Sequence, residues 1–278
     1  MDSMTKVLIF GGGGYLGGKL REMYPDAAAP KVDIADPVAV RKALDEVKPD
    51  TVINAAGKTG KPNVDWCEDH KEETLRSNVT GPLVLLEECM KRGIYFVHVG
   101  SGCIFTGPRK GGGGYTEEDE PNFTGSFYSL TKAMSDRLLK PFPVLQLRIR
   151  MPFDGTNSPR NLLTKLRGYK RVLDAKNSIT YMPDFFQALK TLVAKRATGI
   201  YNVVNPGAVS PYEIMVRYKK EVDPSHEFEK ISVEELSQVV RAGRSNCELD
   251  VSKLEKEGIF MRPSSDAIAE AFASFRKA

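Results

Sequence analysis

The sequence predicts an α/β fold in which a doubly wound parallel sheet is joined to a smaller, mainly helical C-terminal region. Three observations predict it. The first half alternates short apolar runs with helical patterns, the apolar runs are continuous, and a glycine cluster separates the first run from the first helix. Continuous apolar strands are typical of a sheet covered by helices on both faces. The length, 278 residues, suits one composite domain or two small ones.

The elements of the first half follow one another closely. The predicted strands are residues 7–10, 51–55, 95–99 and 145–149, and the predicted helices are residues 15–23, 37–47, 74–92 and 126–139. The second of these helices carries its own start signal, because Asp36 can cap it and Pro37 suits its first turn.

A second region is expected to begin where residues 151–159 become rich in Pro, Gly and Asn. We expect residues 1–152 to form the sheet domain, residues 178–204 to return to it, and residues 153–278 to be mainly helical. Within these, a strand is predicted at 200–204, a loop at 205–210 and a helix from about Pro211. The glycine run 111–114 lies in the polar loop 106–125 and predicts a flexible hinge.

Composition excludes several classes of protein. The 40 Lys and Arg residues exceed the 36 Asp and Glu residues by a net charge of +4, which is too small and dispersed for a nucleic-acid-binding surface. No apolar run approaches the ~18 residues of a membrane span, and the short N-terminal run is no secretion signal. The four cysteines are too widely spaced to suggest zinc or a dithiol. We therefore expect a cytoplasmic protein with no bound metal and no nucleic-acid or membrane partner.

Residues 11–17, GGGGYLG, lie between a strand and a helix, as a dinucleotide-binding turn does. Gly11 permits the tight turn, Gly14 lets a pyrophosphate approach the backbone, and Gly17 lets helix pack on strand. The helix N-terminus then offers free N–H groups to phosphate. The turn predicts a Rossmann-type fold that holds a dinucleotide at these three glycines, Tyr15 and Leu16.

Further cofactor contacts are expected at Asp33, near the adenosine, and at Ala55 and Ala56, at the end of the second predicted strand. Between residues 24 and 31 the chain offers Lys31 as a cation and only Asp26 as an acid. This favours NADPH and leaves NADH open.

Tyr128 and Lys132 lie four residues apart on a predicted helix, and therefore on one face of it. A nearby ammonium, together with an oxidised nicotinamide, is expected to lower the pKa of the Tyr128 phenol. The phenol can then exchange a proton with a carbonyl or alcohol oxygen while hydride moves at the adjacent carbon. Ser101 follows a strand at the carboxyl edge of the sheet, where ligands bind. The three residues predict an oxidoreductase in which Tyr128 and Lys132 also contact the cofactor.

Five further segments resemble one family. They are 54–68 (NAAGKTGKPNVDWCE), 102–105 (GCIF), 121–128 (PNFTGSFY), 158–161 (SPRN) and 244–250 (RSNCELD). The chain is similar over essentially its whole length to the extended short-chain dehydrogenase/reductases, and among them to the nucleotide-rhamnose synthase/epimerase-reductases. The resemblance implies that UDP-4-keto-6-deoxy-D-glucose is epimerised at carbons 3 and 5 and reduced by NADPH at carbon 4, giving UDP-L-rhamnose.

The resemblance also implies that Cys103 and Lys165 are the acid and base of epimerisation. Hydrogens beside a ketone are acidic because their loss leaves an enolate, and inversion requires a base on one face and an acid on the other. A thiol suits this role. Without the resemblance, Cys103 would be interpreted as core filler and Lys165 as a solvated helix residue.

Polar loop residues are candidate anchors for the nucleotide sugar. Arg244 is the leading candidate for the diphosphate, because a guanidinium offers a bidentate fork. The other candidates are Asn63, Asp65, Arg160, Asn161 and Asn246.

Two alternatives stay open: a dTDP-4-dehydrorhamnose reductase without epimerase activity, and a non-catalytic nucleotide-binding regulatory subunit. The presence of Ser101, Tyr128 and Lys132 together argues against the second. A homodimer formed through a helical face is expected only by analogy with the fold family.

Overall fold

Five parallel strands form the central sheet of the computed structural model, which describes residues 6–275. In chain order the strands are β1 (Val7–Phe10), β2 (Thr51–Asn54), β3 (Tyr95–Ser101), β4 (Leu145–Ile149), β5 (Pro152–Phe153), β6 (Arg171–Leu173), β7 (Asn177–Tyr181), β8 (Gly199–Asn202), β9 (Asn205–Val209) and β10 (Glu229–Ile231). The central sheet has the order β1-β2-β3-β4-β8. The predicted α/β fold with a parallel sheet is confirmed.

The helices cover both faces of this sheet and build much of the second region. They are α1 (Tyr15–Met23), α2 (Pro37–Val47), α3 (Trp66–Asp69), α4 (Lys71–Leu75), α5 (Gly81–Arg92), α6 (Phe127–Leu139), α7 (Leu162–Arg167), α8 (Met182–Ala194), α9 (Pro211–Glu221), α10 (Val233–Ser237), α11 (Ser252–Lys256) and α12 (Ser264–Phe275). A π-helical turn, Arg76–Thr80, joins α4 to α5. Within residues 6–275, none of the helices is both long and apolar enough to cross a membrane.

Strand residues alternate between two apolar cores, which explains why the strands are continuously apolar. Ile9 and Ile53 pack on one face with Phe185 of α8, whereas Leu8 packs on the other with Leu85 of α5. Each face therefore buries its own layer of helices, as expected for a doubly wound sheet.

The direction of winding reverses at β1. Leu8 forms a parallel bridge with Ala28 on one side of β1, and β2 pairs with β1 on the other side. The chain therefore leaves through α1 in one direction and returns through α2 in the other. Ligands of open α/β sheets bind at the carboxyl ends of the strands beside such a reversal.

The second region contains more strand than the sequence predicts. β5, β7 and β9 form a three-stranded sheet, and β6 pairs with β10. The prediction of a loop at 205–210 is wrong, because Asn205–Val209 is β9 and pairs antiparallel with β7. Its Pro206 and Gly207 indicate a turn locally, but pairing with a distant strand decides the structure.

Several boundaries differ from prediction by a few residues. The strand predicted at 51–55 ends at Asn54, that predicted at 95–99 continues to Ser101, and the helix predicted at 74–92 begins at Lys71 and includes the π-helical turn. The loop 151–159 contains β5, and the strand predicted at 200–204 is Gly199–Asn202. Of residues 178–204, α8 and β8 lie at the central sheet, while 178–181 belong to β7. The domain boundaries stay a prediction.

Candidate active site

The glycine turn between β1 and α1 has the shape that a dinucleotide phosphate requires. Gly11 has φ +83°, and a Cβ there would lie 2.4 Å from the Ala56 nitrogen. A Cβ at Gly17 would lie 2.1 Å from the Gly11 oxygen, whereas at Gly14 the nearest atom is 3.4 Å away. No side chain caps α1 at Gly14. The turn is thus tight where the chain packs on itself and open where its N–H groups can meet an anion.

Around this turn, the other predicted cofactor residues have contacts of their own. Leu16 packs against the core of the central sheet, and the Ala55 nitrogen donates to the Phe10 oxygen at 2.9 Å. The Tyr15 phenol lies beside Asp154, and burial, followed by the charge of that carboxylate, raises the pKa of Tyr15. Their contacts with a cofactor stay predictions.

Asp33 is exposed and engaged in its own turn. Its carboxylate accepts from the Ala35 nitrogen and from Nη2 of Arg76, both at 2.9 Å, and these contacts lower the pKa of Asp33. The adenosine contact predicted for Asp33 would therefore be made next to an arginine.

Asn78, in the π-helical turn, organises the loop after β2, a role that the helical pattern of the sequence does not indicate. Its amide accepts from the Lys58 nitrogen at 2.8 Å and donates to the Lys58 oxygen at 3.0 Å. It also donates to Oγ1 of Thr131 on α6 at 3.1 Å. Helical patterns do not mark where a helix changes to π geometry, although such turns are frequent at functional sites.

Ser101, Cys103, Tyr128 and Lys132 come together at the carboxyl edge of the sheet. Ser101 ends β3, and its Oγ accepts from the Cys103 nitrogen at 3.1 Å. Tyr128 lies in the first turn of α6, where the Ser101 hydroxyl and the Cys103 sulfur both act on the pKa of its phenol. Lys132 is buried one turn further along, and Cys103 also acts on its charge.

Burial dominates the electrostatics of this group. Burial, followed by the nearby Cys103 sulfur, raises the pKa of Tyr128, while the Ser101 hydroxyl and the charge of Arg150 lower it only in part. In the protein alone, desolvation of the phenolate therefore outweighs the stabilising groups. The lower pKa expected with an oxidised nicotinamide bound stays a prediction. Burial also lowers the pKa of Lys132 to about 8.

A cavity of about 370 Å³ opens beside these residues. Among its lining residues are Cys103, Tyr128, Asn63, Arg150, Arg244 and Asn246. Its volume lies in the range of small-molecule sites. The structure thus places a thiol, a phenol and three guanidinium groups, those of Arg150, Arg171 and Arg244, around one space.

Arg244 and Asp65, both predicted to bind substrate, contact each other. Nη1 of Arg244 lies 3.0 Å from Oδ1 of Asp65, which also accepts from the Ala242 nitrogen. Although burial opposes it, these hydrogen bonds lower the pKa of Asp65. Oδ1 of Asp65 therefore holds the Arg244 segment, and the contact of Asp65 with a sugar hydroxyl stays a prediction. Asn63 accepts from the Asp65 nitrogen at 2.8 Å.

Asn246 lines the cavity, and its Nδ2 donates to the Arg244 oxygen at 3.2 Å. Its Oδ1 accepts from Nδ2 of Asn177 at 3.0 Å. Side-chain and main-chain contacts therefore hold the segment that presents Arg244.

The contacts of Arg160 and Asn161 are structural. Nη1 of Arg160 donates to Oγ1 of Thr59 at 3.1 Å and to the Gly60 oxygen at 2.7 Å. Nη1 of Arg160 thus ties the start of α7 to the loop after β2, and the contact of Arg160 with substrate stays a prediction.

The prediction that Asn161 binds substrate is corrected. Asn161 is fully buried and caps α7, accepting from the Leu163 nitrogen at 3.1 Å. Its Nδ2 donates to the main-chain oxygens of Asp154 at 2.8 Å and Thr156 at 2.6 Å. Both N–H groups of the amide are thus engaged within the protein, and the side chain is closed off from any ligand.

Lys165 lies on α7, the helix whose Leu162 and Leu166 line the cavity. Burial, followed by the charge of Arg160, lowers the pKa of Lys165. Its role opposite Cys103 stays a prediction. Among residues 6–275, no three His, Cys, Asp or Glu side chains form a group that could hold a metal ion.

A Rossmann-type sheet with Ser101, Tyr128 and Lys132 at its carboxyl edge defines a dehydrogenase/reductase-type oxidoreductase. Comparison with known proteins narrows the class. The chain belongs to the RmlD substrate binding domain family, whose pattern matches residues 4–277. The family predicted from the sequence is confirmed.

Two curated relatives come from Arabidopsis thaliana. A bifunctional dTDP-4-dehydrorhamnose 3,5-epimerase/dTDP-4-dehydrorhamnose reductase is 43% identical over 267 residues, which cover 92% of this chain and 88% of the relative. The trifunctional UDP-glucose 4,6-dehydratase/UDP-4-keto-6-deoxy-D-glucose 3,5-epimerase/UDP-4-keto-L-rhamnose-reductase RHM2 is 42% identical over 262 residues, covering 91% of this chain. The match covers only 39% of that longer relative.

Solved structures agree. The L780 UDP-rhamnose synthase of Acanthamoeba polyphaga mimivirus is 33% identical, with a TM-score of 0.91 over 97% of this chain and 99% of that one. A dTDP-4-dehydrorhamnose reductase from Bacillus anthracis, solved with NADP, shares the fold with a TM-score of 0.83 and 20% identity, covering 98% and 99% of the two chains. The chain is thus an oxidoreductase of the nucleotide-rhamnose reductase family, whose cofactor is a nicotinamide dinucleotide, as predicted.

Proposed function

We propose that this protein is a cytoplasmic, bifunctional enzyme that converts UDP-4-keto-6-deoxy-D-glucose to UDP-L-rhamnose. It epimerises carbons 3 and 5 and reduces the 4-keto group with NADPH. The observation that carries the proposal is the position of Cys103, which lines the same cavity as Tyr128 and acts electrostatically on it. The Cys103 thiol, which can exchange a proton with carbon, thus lies near the Tyr128 phenol, which can exchange one with oxygen.

The residues present fit NADPH. The open turn at Gly14 and the uncapped start of α1 can receive the pyrophosphate, and Lys31 and Arg76, which pairs with Asp33, are candidate cations for the adenosine end. When bound, NADPH supplies the hydride for the carbonyl carbon.

In the reduction, Tyr128 donates its proton to the carbon-4 oxygen. Its raised pKa keeps the phenol protonated at neutral pH, which is the form a donor needs. The Ser101 hydroxyl donates to the same oxygen. Lys132 is mostly protonated at pH 7, because its pKa is about 8, and its charge favours the phenolate left after proton transfer.

In the epimerisation, a base removes the proton from carbon 3 or 5 and an acid returns one on the opposite face. Cys103 and Lys165 take these roles, so that each inversion exchanges a proton and leaves the oxidation state unchanged. The partial burial that lowers the pKa of Lys165 brings its ammonium closer to the range of a useful acid/base. The electron pair released from the C–H bond moves to the carbon-4 oxygen, which Ser101 and Tyr128 hold.

Arg244 anchors the diphosphate, with Asn63 and Asn246 as neighbouring polar contacts on the cavity wall. One Arabidopsis relative is named for dTDP sugars and the mimivirus protein for UDP-rhamnose. The experiment therefore compares a UDP sugar with a dTDP sugar.

The test is incubation in heavy water with NADPH and either UDP- or dTDP-4-keto-6-deoxyglucose, with the sugar identified by NMR. We expect L-rhamnose with deuterium at carbons 3 and 5. Cys103→Ser and Lys165→Met should suppress uptake, whereas Lys170→Met, an exposed lysine nearby, should not. Tyr128→Phe should remove reduction, by about 10²–10⁴-fold, and leave cofactor affinity largely intact. A D-configured product without deuterium would leave a simple ketone reductase.

A further inference from the structure

Arg150 is a buried arginine that has no carboxylate partner among the described residues. It follows β4, is 1% exposed and lines the cavity. Its Nη1 donates to the Gly102 oxygen and to Oγ of Ser245, both at 2.8 Å. Its Nη2 donates to Oδ1 of Asn177 and, at 3.1 Å, to the Ser245 oxygen. Within residues 6–275, the hydrogen-bond partners of this cation are therefore neutral.

Four of the five N–H groups of the Arg150 guanidinium have hydrogen-bond partners. A guanidinium has five N–H groups. The four on Nη1 and Nη2 match the four contacts above, while Nε is buried and has no partner among the described residues. The group is thus fixed in orientation, its charge is uncompensated, and one donor is free.

Arg148, two residues earlier, is a buried arginine in a structural position, and it differs from Arg150 in having a carboxylate partner. It is equally buried, and its Nε and Nη2 donate to the two carboxylate oxygens of Asp136 at 2.8 and 2.7 Å. A buried charge without such a partner is costly. An uncompensated cation on a cavity wall indicates that negative charge arises there during function.

The position of Arg150 identifies where that charge arises. Gly102, whose oxygen it binds, separates Ser101 from Cys103, and a Cβ at Gly102 would lie 2.8 Å from Cγ of Arg150. The charge of Arg150 also acts on Tyr128, where it favours the anion. The cation therefore lies behind the groups that hold the carbon-4 oxygen in the proposed reaction.

We propose that Arg150 is a positioning residue whose permanent charge stabilises the enolate oxyanion formed during epimerisation. The inference rests on the proposed function. In a water-poor interior a fixed cation lowers the energy of an oxyanion more than that of the neutral ketone. Arg150 should therefore act on the rate of proton removal from carbons 3 and 5, and less on substrate binding.

The test compares Arg150→Met with Arg150→Lys by deuterium uptake from heavy water, with KM and kcat for reduction and the pH profile measured in parallel. In Arg150→Met we expect uptake to fall by about 100-fold, as for loss of one oxyanion stabiliser, with KM changed by less than about fivefold. At high pH the rate of reduction should fall as the Tyr128 phenol loses its proton. In Arg150→Met this fall should move to higher pH, because a cation that favours the Tyr128 anion is gone. Arg150→Lys, which keeps the charge, should recover about tenfold of the uptake. Arg137→Met, on the exposed side of α6, should match wild type.

Two outcomes would overturn the assignment: uptake in Arg150→Met within threefold of wild type, or Arg150→Lys no better than Arg150→Met. Should Arg150→Met fail to fold in thermal unfolding, Arg150→Lys decides alone, because retained charge must retain uptake within about tenfold of wild type. Absence of uptake in the wild type would instead overturn the proposed function, and the role of Arg150 with it.

Discussion

Nη1 of Arg244 lies 3.0 Å from Oδ1 of Asp65, so an ion pair joins the segment before α11 to the loop after β2. A second pair, between Arg241 and Asp69, joins the segment before α11 to the end of α3, with contacts of 2.6 and 2.8 Å. Only Arg244 lines the cavity as well. The two arginines can therefore be separated by experiment.

Arg244→Met should weaken binding of the nucleotide sugar. Loss of charged hydrogen bonds to a diphosphate is expected to raise KM by about 10–100-fold, with kcat changed by less than about threefold. Arg241→Met is the matched control, because it removes only the exposed pair with Asp69 and should leave KM unchanged. Steady-state kinetics with the keto-sugar and titration of UDP check this. Equal effects of the two substitutions would mean that Arg244 only holds the loop.

Lys132→Met should stabilise the protein below pH 8. The pKa of Lys132 is about 8 in the fold, against an ordinary value of 10.5, so the unfolded chain binds more protons between these values and wild-type stability rises with pH across them. The difference corresponds to about 3 kcal/mol in favour of the variant at pH 7, and it should disappear towards pH 10.5. Urea unfolding at pH 7 and pH 10 measures it. A pH-independent difference would contradict burial as the cause.

Gly17→Ala should disrupt the cofactor turn, whereas Gly13→Ala should be tolerated. The added methyl at Gly17 would lie 2.1 Å from the Gly11 oxygen, while at Gly13 it meets nothing within 4 Å. We expect Gly17→Ala to destabilise the fold by about 1–3 kcal/mol and to weaken NADPH binding. Fluorescence titration with NADPH and thermal unfolding test the pair. Comparable NADPH affinity in both variants would show that the turn does not hold the pyrophosphate.

Asp154→Asn should destabilise the contact between α1 and the segment that leads to α7. Asp154 is buried and pairs with Lys19 of α1 at 2.6 Å. Burial alone would raise the pKa of Asp154, but hydrogen bonds from Lys19 and Thr156 lower it. Its contribution is thus complete above the unfolded value of about 3.9 and is lost as pH falls through the lower folded value. We expect a loss of about 3 kcal/mol at pH 7.

The control for Asp154 is Asp174→Asn, which breaks an exposed pair with Lys230 and should cost less than about 1 kcal/mol. Denaturant unfolding at pH 7 and pH 3 distinguishes the two aspartates. A loss at Asp154 no larger than that at Asp174 would show that the pair contributes little.

The central sheet was largely predictable, because its information is local. β1 and the helix capped by Asp36 were predicted with the bounds that the structure has, since apolar runs and capping residues lie in consecutive positions. β9 was not predictable in the same way. Its Asn-Pro-Gly beginning indicates a turn, and only pairing with β7 makes it a strand.

The residues of the candidate site likewise differ in whether local sequence predicts their role. Ser101, Cys103 and Tyr128 were found from motif and spacing, and the structure brings them together. Asn161 was misassigned as a ligand, although an Asn before Leu-Leu-Thr-Lys also fits a helix cap. Arg150 was missed because its sequence position, one residue beyond a strand, does not reveal whether a carboxylate lies opposite it. Such pairing is a property of the folded chain alone.

The tight packing of Gly102 against Arg150 has a consequence for exchanging parts between related enzymes. A methyl at position 102 would meet Cγ of Arg150 at 2.8 Å and Cδ1 of Leu249 at 2.5 Å. A chimera that brings a residue with a side chain to position 102, next to the Arg150 and Leu249 of this chain, would therefore place its Cβ too close to both. Fragments exchanged between related enzymes should therefore include positions 102, 150 and 249 together. Mutant libraries that vary residue 102, which separates Ser101 from Cys103, should vary the other two positions at the same time.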